Sequence, residues 1–576
     1  MLGNTVARHG GPGRVAWIFA TLLAALVLCG YLRTGLLLDD SFLLARASHR
    51  FGLEALDYAL RTADHRIRLW VHPEPVAFEF FRPLSMLSLW IERRIWGPNI
   101  WGYHASNLVL HLANAWMLSR LAARCGLGEA RALLGALAWA LSIQVIPAAG
   151  WISGRTEVLW GTCALLSVHT LVRWRDGGGH AWFVASFVAA TLAACAKESG
   201  LVAPLLALLV VRRAGSPPAA SSATVVTPER VVLILLPPVV VMGVRLATIG
   251  MRLPPEPYLD VPHGFTSALW TAAKPGLYLG AGYLSLPLSH WGPLEWIHDH
   301  PWSLALLLPS ALACTVALGR VVGRASLVLW LGWFVVALLP VMPIRPTSLY
   351  LYVPMMGLTM LIAAALEQRR NAAFAAWLVV TLIVGAGSHL FVQGFIARVW
   401  QRTETEVATV ERWVRDRGAT RLLTIDTPVW HYALPAAIEL DSPDLRFETW
   451  FVNFKPRLDS VAASAVRWRA PLSLVITAPA GGFLQSTYER FLAFGGVPSD
   501  RGPTVEGPVD ITIEGPRISP ERLVVTFRDA AARDSTLIVR FGHDALRMVE
   551  PPPGVARPLA GAGVPSRETT APGPTR

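Results

Sequence analysis

Apolar runs of helical length recur along most of this 576-residue chain, with polar breaks between them. They fall at 15–38, 101–119, 132–150, 156–172, 181–196, 200–211, 231–249, 301–319, 325–343, 349–366 and 373–395. Several are shorter than the roughly 20 residues of a full bilayer crossing. The run at 267–288 is broken by Lys274, Pro275, Gly276 and Pro287, the pattern of a re-entrant, interfacial or broken helix. The expectation is an all-α polytopic membrane domain of about eleven spans over 1–398, with 267–288 not crossing by itself. Beyond residue 398 the pattern changes. Short β-rich runs at 421–426, 472–477, 523–527 and 536–541 are bounded by Pro, Gly and Asp, and 404–417 has the spacing of an amphipathic helix. This predicts a small α/β domain over 399–550 and a disordered Pro/Gly/Ala tail over 551–576. Residues 214–228 read as a Ser/Pro/Ala loop.

Composition supports the membrane reading. The chain is 53% hydrophobic and 16% charged, with a mean hydropathy of +0.44, more apolar surface than a water-soluble fold of this size hides. Its 23 Trp suit membrane interfaces. The net charge of +12 reads as a topology signal rather than a nucleic-acid footprint, because the Arg residues sit in short loops. With the N-terminus inside, the inside loops hold Arg120, Arg124 and Arg131; Arg173 and Arg175; Arg212 and Arg213; Arg320 and Arg324; and Arg369 and Arg370. An odd number of crossings then puts the C-terminal domain outside. Arg8 and Arg14 precede the first run, which lacks a small-residue cleavage site and reads as an uncleaved first transmembrane helix. The five Cys form no CxxC pair, so neither a disulfide framework nor a zinc site is expected. The Ala/Arg-rich composition points to a bacterial inner membrane, with a cytoplasmic N-terminus and a periplasmic or extracellular C-terminal domain.

In this topology the chemistry-bearing groups collect on the outer side. Asp39 and Asp40 open the first outer loop, which also holds Glu79, Arg82 and Pro83. His104, Asn107 and His111 share one helix face. Trp151-Ile-Ser-Gly-Arg155, with Glu157 beyond it, lies between two spans; Lys197 and Glu198 end another, and Arg345 precedes Tyr350, Tyr352 and Pro354. Each has a plain structural explanation: a polar helix end for the acids, interhelical hydrogen bonding for the His/Asn face, interfacial anchoring for Arg155 and Lys197. His-x-x-Asn-x-x-x-His is a weak zinc pattern.

Five blocks in order carry a resemblance. Asp39-Asp40, Phe81-Arg82-Pro83-Leu84, His104-x-x-Asn107-x-x-x-His111, Trp151-Ile-Ser-Gly-Arg155 and Ala196-Lys197-Glu198-Ser199 resemble the membrane part of the GT-C glycosyltransferases. They are most similar to the transmembrane-and-tetratricopeptide O-mannosyltransferases and their bacterial relatives. Leu351-Tyr352-Val353-Pro354-x-x-Gly357 resembles a later block of that family. The resemblance covers roughly 15–395. It implies a polyprenyl-phosphate-linked sugar donor held in membrane lipid, transfer to an acceptor hydroxyl on a protein, lipid or glycan, and no cofactor or metal. Two adjacent acids could also hold a divalent cation, an option the resemblance does not favour. Carried over by position, Asp40 is the first candidate base and Asp39 the second. Arg82, Arg155, Lys197 and Arg345 are the candidate donor-phosphate ligands, and His104, Asn107 and Glu198 the supporting or substrate contacts.

The sequence also departs from the family. Pro147 stands where an acid is expected, and Ser348-Leu349 replaces a Glu-Arg pair. The tetratricopeptide repeats are absent. These departures leave a non-catalytic membrane scaffold open. A transporter or flippase is a further alternative, although no internal repeat relates the two halves.

Overall fold

The structure, a computed structural model, describes residues 14–37, 39–48, 67–69, 80–213, 227–250, 265–288, 304–368, 372–428, 433–453, 463–478, 482–483, 507–515, 520–542 and 545–552. The expected tail beyond 552, most of the 214–228 loop, Arg8, Glu79, Arg369 and Arg370 lie outside these residues.

The chain is mostly helical. Helix α1 (Arg14–Leu28) continues as a 3-10 turn to Arg33, and α2 (Asp40–Arg46) follows after a short extended stretch. Next come α3 (Pro83–Trp96), α4 (Ile100–Arg124), α5 (Glu129–Ala140), α6 (Ile146–Ala149), α7 (Arg155–Arg175), α8 (His180–Ala196) and α9 (Ala203–Arg213). Then come α10 (Pro228–Ile249), α11 (Phe265–Leu284), α12 (Leu304–Leu338), α13 (Pro354–Gln368) and α14 (Ala372–Arg417). Each apolar run read from the sequence overlaps at least one described helix, and 132–150 covers two that meet at a bend. The runs 301–319 and 325–343 meet inside α12 at Gly323, whose φ of 73° only glycine adopts without strain. The interrupted run is a helix that keeps Pro275 inside it.

Four described helices are long and apolar enough to cross a membrane: Val15–Arg33, Pro228–Ile249, Leu306–Val341 and Ala372–Arg417. The bent pair Glu129–Ala140 and Ile143–Ala149, at 52°, adds a fifth if it is one span. Large apolar side chains such as Phe19, Leu26, Val239, Ile383 and Phe391 point outward from these helices, the arrangement lipid contact calls for.

The C-terminal region is α/β, as its pattern predicted. One sheet has the order β1-β3-β2-β8-β9, with β1 (Ile67–Leu69), β2 (Arg421–Ile425), β3 (Glu448–Phe451), β8 (Thr536–Phe541) and β9 (Leu546–Met548). It is parallel except for β9. A second, antiparallel sheet has the order β4-β5-β7-β6, from Ala465–Ala470, Ser473–Thr477, Arg522–Phe527 and Val509–Glu514. Helix α15 (Ala433–Asp441) follows β2.

Two features tie the C-terminal region to the membrane part. Strand β1 comes from the segment between α2 and α3 and pairs in parallel with β3, Ile67 opposite Thr449 and Leu69 opposite Phe451. Helix α14 runs unbroken for 46 residues, about 69 Å at 1.5 Å per residue, against a hydrocarbon core of about 30 Å. The separate segments 373–395 and 404–417 expected from the pattern are one rod. No proline interrupts it, and it stops at Gly418, φ 56°. Its far end buries Val407, Val410 and Val414 against Leu422, Leu537 and Val539 of the sheet.

Candidate active site

Asp40 sits just after the first apolar helix, at the start of the loop that follows it. The backbone turns at Gly35, φ 73°, and Asp40 becomes the first residue of α2. Its Oδ2 accepts from the Leu37 amide at 2.9 Å and its Oδ1 from the Ser153 amide at 2.7 Å. The Trp151 indole donates to the Leu37 carbonyl at 3.1 Å, and His104 Nε2 to the Gly35 carbonyl at 2.9 Å. Asn107 Nδ2 donates to the carbonyls of Ala148 (3.1 Å) and Trp151 (3.0 Å). The acidic pair, the His/Asn helix face and the Trp-Ile-Ser-Gly-Arg loop, spread over more than a hundred residues of sequence, thus close on one another. Asp40 is fully buried and Asp39 half-buried. Burial raises the Asp40 carboxyl to about 8; the two amides oppose the shift and the Asp39 charge adds to it.

Three of the four cations expected to meet a donor phosphate, Arg82, Arg155 and Lys197, are held in ion pairs. Arg82 Nε contacts Glu198 Oε2 at 3.0 Å, with its guanidinium 4.4 Å from the centre of the Phe80 ring. Lys197 pairs with Glu157, and its ammonium lies 4.8 Å from the centre of the Tyr350 ring. Arg155 pairs with Glu92 and donates to the Tyr103 carbonyl at 2.9 Å. The segments carrying Arg82 and Lys197 are joined directly, because Ser85 Oγ donates to the Ala196 carbonyl at 2.8 Å. Arg345 is half-buried on the loop before Tyr350; Lys274, wholly buried on α11, donates to the Met342 and Ile344 carbonyls of that loop at 2.8 and 3.2 Å. His111 takes a different part from its helix neighbours. It accepts from the Tyr352 hydroxyl at 2.8 Å and donates to the Ala140 carbonyl at 3.0 Å, joining helices rather than the Asp40 turn.

Glu157 and Glu92 were not among the expected site residues. Glu157 stands two residues past Arg155, so its position was legible; its partner was not, because Lys197 is forty residues away. The family departures also meet in space. Ser348 donates to Gln144 Oε1 at 2.8 Å and accepts from the Leu288 amide at 2.6 Å, while Gln144 Nε2 donates to the Ala281 and Leu286 carbonyls. Both side chains are buried, and the segment bearing Pro147 packs against the one bearing Ser348. Ser348 and Gln144 thus form a neutral, hydrogen-bonded junction beside Pro147.

No group of three or more His, Cys, Asp or Glu side chains suited to a metal ion occurs among the described residues. Within the Asp40 cluster, His104 Nδ1 and Asn107 Oδ1 are buried with no hydrogen-bond partner among the described residues.

No family model and no curated protein matches the sequence. Among solved structures the chain is similar to ArnT from Cupriavidus metallidurans in the apo state, at 12% identity over 90% of this chain and 99% of that one, TM-score 0.41. It is also similar to the same protein bound to undecaprenyl phosphate, at 13% identity over the same shares, TM-score 0.38.

Proposed function

We propose that this protein is a membrane glycosyltransferase that moves a sugar from a polyprenyl-phosphate donor to an acceptor hydroxyl on the outer side of the membrane. The observation that carries the reading is the meeting of the sequence blocks: the acidic pair, the His/Asn face and the Trp-Ile-Ser-Gly-Arg loop form one hydrogen-bonded cluster. The Arg82 and Lys197 blocks adjoin one another through Ser85, and Glu157 links Lys197 to the first turn of α7, two residues past Arg155.

In the proposed reaction the acceptor oxygen forms a bond to the anomeric carbon as the bond from that carbon to the phosphate oxygen breaks. The lipid phosphate leaves with the electron pair, and the acceptor proton passes to the carboxylate. A hydroxyl is a poor nucleophile until a base orients it and takes its proton. Asp40, raised by burial, is a strong base once ionised, and each of its oxygens keeps a lone pair beyond the amide it accepts from. Arg82, Arg155, Lys197 and Arg345 are the proposed phosphate ligands. Three of them sit beside carboxylates, so donor binding exchanges part of each pairing for the phosphate. His104 Nδ1 and Asn107 Oδ1 are buried acceptors that substrate hydroxyls would satisfy. The site is proposed to work without a metal.

One observation favours a second assignment of the acids. Asp40 has no exposed surface and both its oxygens hold main-chain amides, so it can serve as the pin between the two loops while half-buried Asp39 takes the proton. The test is transfer from a radiolabelled polyprenyl-phosphate sugar pool in membranes, comparing wild type, Asp40→Asn and Asp39→Asn at matched expression. Loss with Asp40→Asn alone supports the first assignment. Loss with Asp39→Asn, with Asp40→Asn partly active, supports the second. No transfer by the wild type removes the enzyme reading and leaves the scaffold.

A further inference from the structure

The turn that delivers Asp40 is gripped from behind by the rod α14. His389, Gln393 and Trp400 lie at i, i+4 and i+11, one stripe of that helix. Each meets the last turns of the first span or the bend just after it. The Tyr31 hydroxyl bonds His389 Nδ1 at 2.8 Å, and Gln393 Nε2 donates to the Val27 carbonyl at 2.8 Å. Trp400 lies flat against Gly35. A methyl group built on Gly35 would stand 2.2 Å from Trp400 Cδ1 and 2.3 Å from its Cγ and Nε1, far inside van der Waals contact. Gly35 is therefore required twice, by its φ of 73° and by the indole on its open side. Its carbonyl takes the His104 bond, and two residues on Leu37 provides the amide held by Asp40. Past Trp400 the rod enters the C-terminal domain, where Arg402 donates to the Gly542 carbonyl at 3.2 Å and Val407, Val410 and Val414 pack on the sheet.

We propose that Trp400 is a positioning residue for the acidic pair: it wedges the Gly35 turn shut and so sets where the Asp40 carboxylate lies, making the C-terminal domain, through α14, part of the device that aims the site. This rests on the reading of the acidic pair as the reacting carboxylates. Trp400 touches no reacting atom; it acts through Gly35 and Leu37. Misplacement by about 1 Å from a remote change can cost roughly a hundredfold in rate, so a wedge of this kind is felt in turnover before it is felt in donor affinity.

The experiment compares wild type, Trp400→Ala, Trp400→Phe, Gly35→Ala and Gly35→Ala/Trp400→Ala, all purified as the full chain in detergent and checked for a single folded peak. Two readouts are taken. The first is transfer from the polyprenyl-phosphate donor, resolved into kcat and KM. The second needs no activity: the part of the pH dependence of SDS-induced unfolding that Asp40→Asn abolishes, measured in each background. Other ionisable groups on the surrounding elements cancel in that difference; they are Asp39, His104 on α4, Arg155 on α7, Arg398 and Arg402 on α14 and Asp441 on α15.

Trp400→Ala is expected to lower kcat by about tenfold or more with little change in donor KM, and to shrink the Asp40-dependent part of the pH response as water reaches the carboxyl. Trp400→Phe restores most of both. Gly35→Ala is expected to be the most damaging single change, and the double variant to recover part of its loss because the indole no longer collides. A folded Trp400→Ala protein with wild-type kcat and an unchanged Asp40 pH response overturns the inference, as does strict additivity of the Gly35 and Trp400 effects. If the wild type transfers nothing, the enzyme reading falls, and the unfolding readout alone decides whether Trp400 positions Asp40.

Discussion

Glu157→Gln is the sharpest single test of how the charged cluster is held. Lys197 is 4% exposed and Glu157 1%, so the pair is effectively out of water. Glutamine keeps the shape, and its amide oxygen still accepts from the Trp160 indole, which bonds the other carboxylate oxygen in the native protein. What the substitution removes is the negative charge, leaving a buried ammonium whose described carboxylate partner is gone. Breaking a buried pair from one side costs about 3–5 kcal/mol, against about 0–1 kcal/mol for an exposed pair. Replacing both members by neutral groups leaves no orphaned charge, so Glu157→Gln/Lys197→Met should recover most of the loss. The assay is equilibrium unfolding by SDS in mixed micelles, with the four proteins of the cycle side by side. A Glu157→Gln penalty below about 1 kcal/mol would mean that the pair is hydrated. A double variant no better than the worse single would show that charge compensation is not what holds Lys197.

Three further outcomes follow from particular contacts. Because the Asp40 carboxyl is raised to about 8 in the folded protein, the folded state holds more protons than the unfolded state between the unfolded carboxyl value, about 3.9, and that pH. This group's contribution to stability is therefore fully present at low pH and falls by up to about 1.4 kcal/mol per pH unit as pH rises through that window. Asp40→Asn should remove that slope, and a wild-type minus variant difference that stays flat from pH 5 to 7 would contradict it. For transfer the sign is opposite: a base must be ionised, so the rate should climb with pH over the same range. On α14, Gly385→Ala and Gly387→Ala should move stability in opposite directions. A methyl on Gly385 would meet the Leu141 carbonyl at 1.8 Å, whereas nothing lies within 4 Å of one on Gly387, where alanine gains up to about 1 kcal/mol of helix propensity. Gln144→Leu should cost about 1–3 kcal/mol by stranding the Ser348 hydroxyl proton and the Leu286 carbonyl, while the Ala281 carbonyl keeps the Leu286 amide; an unfolding midpoint equal to wild type would show that the junction reorganises freely.

Local pattern and tertiary structure decided different things about this protein. Apolar period and length placed the helices, because a membrane segment must satisfy its own backbone and so writes its span into consecutive residues. The change near residue 398 to short β-rich runs marked the α/β region for the same local reason. The resemblance of the motifs in order also implied Asp39-Asp40, Arg82, His104, Asn107, Arg155, Lys197, Glu198 and Arg345 as a set. It did not mark which of them touch. The partners Glu157 for Lys197, Glu92 for Arg155 and Gln144 for Ser348 lie 40, 63 and 204 residues away, and no local period connects positions so far apart. Strand β1 is three residues long, too short to declare itself, and exists because β3 offers it an edge. Trp400 reads in the sequence as one more interfacial tryptophan; only the packing of α14 on the first span puts it against Gly35. Continuity of a helix is local chemistry, but which side chain meets which backbone turn is settled by the whole chain burying its surfaces at once.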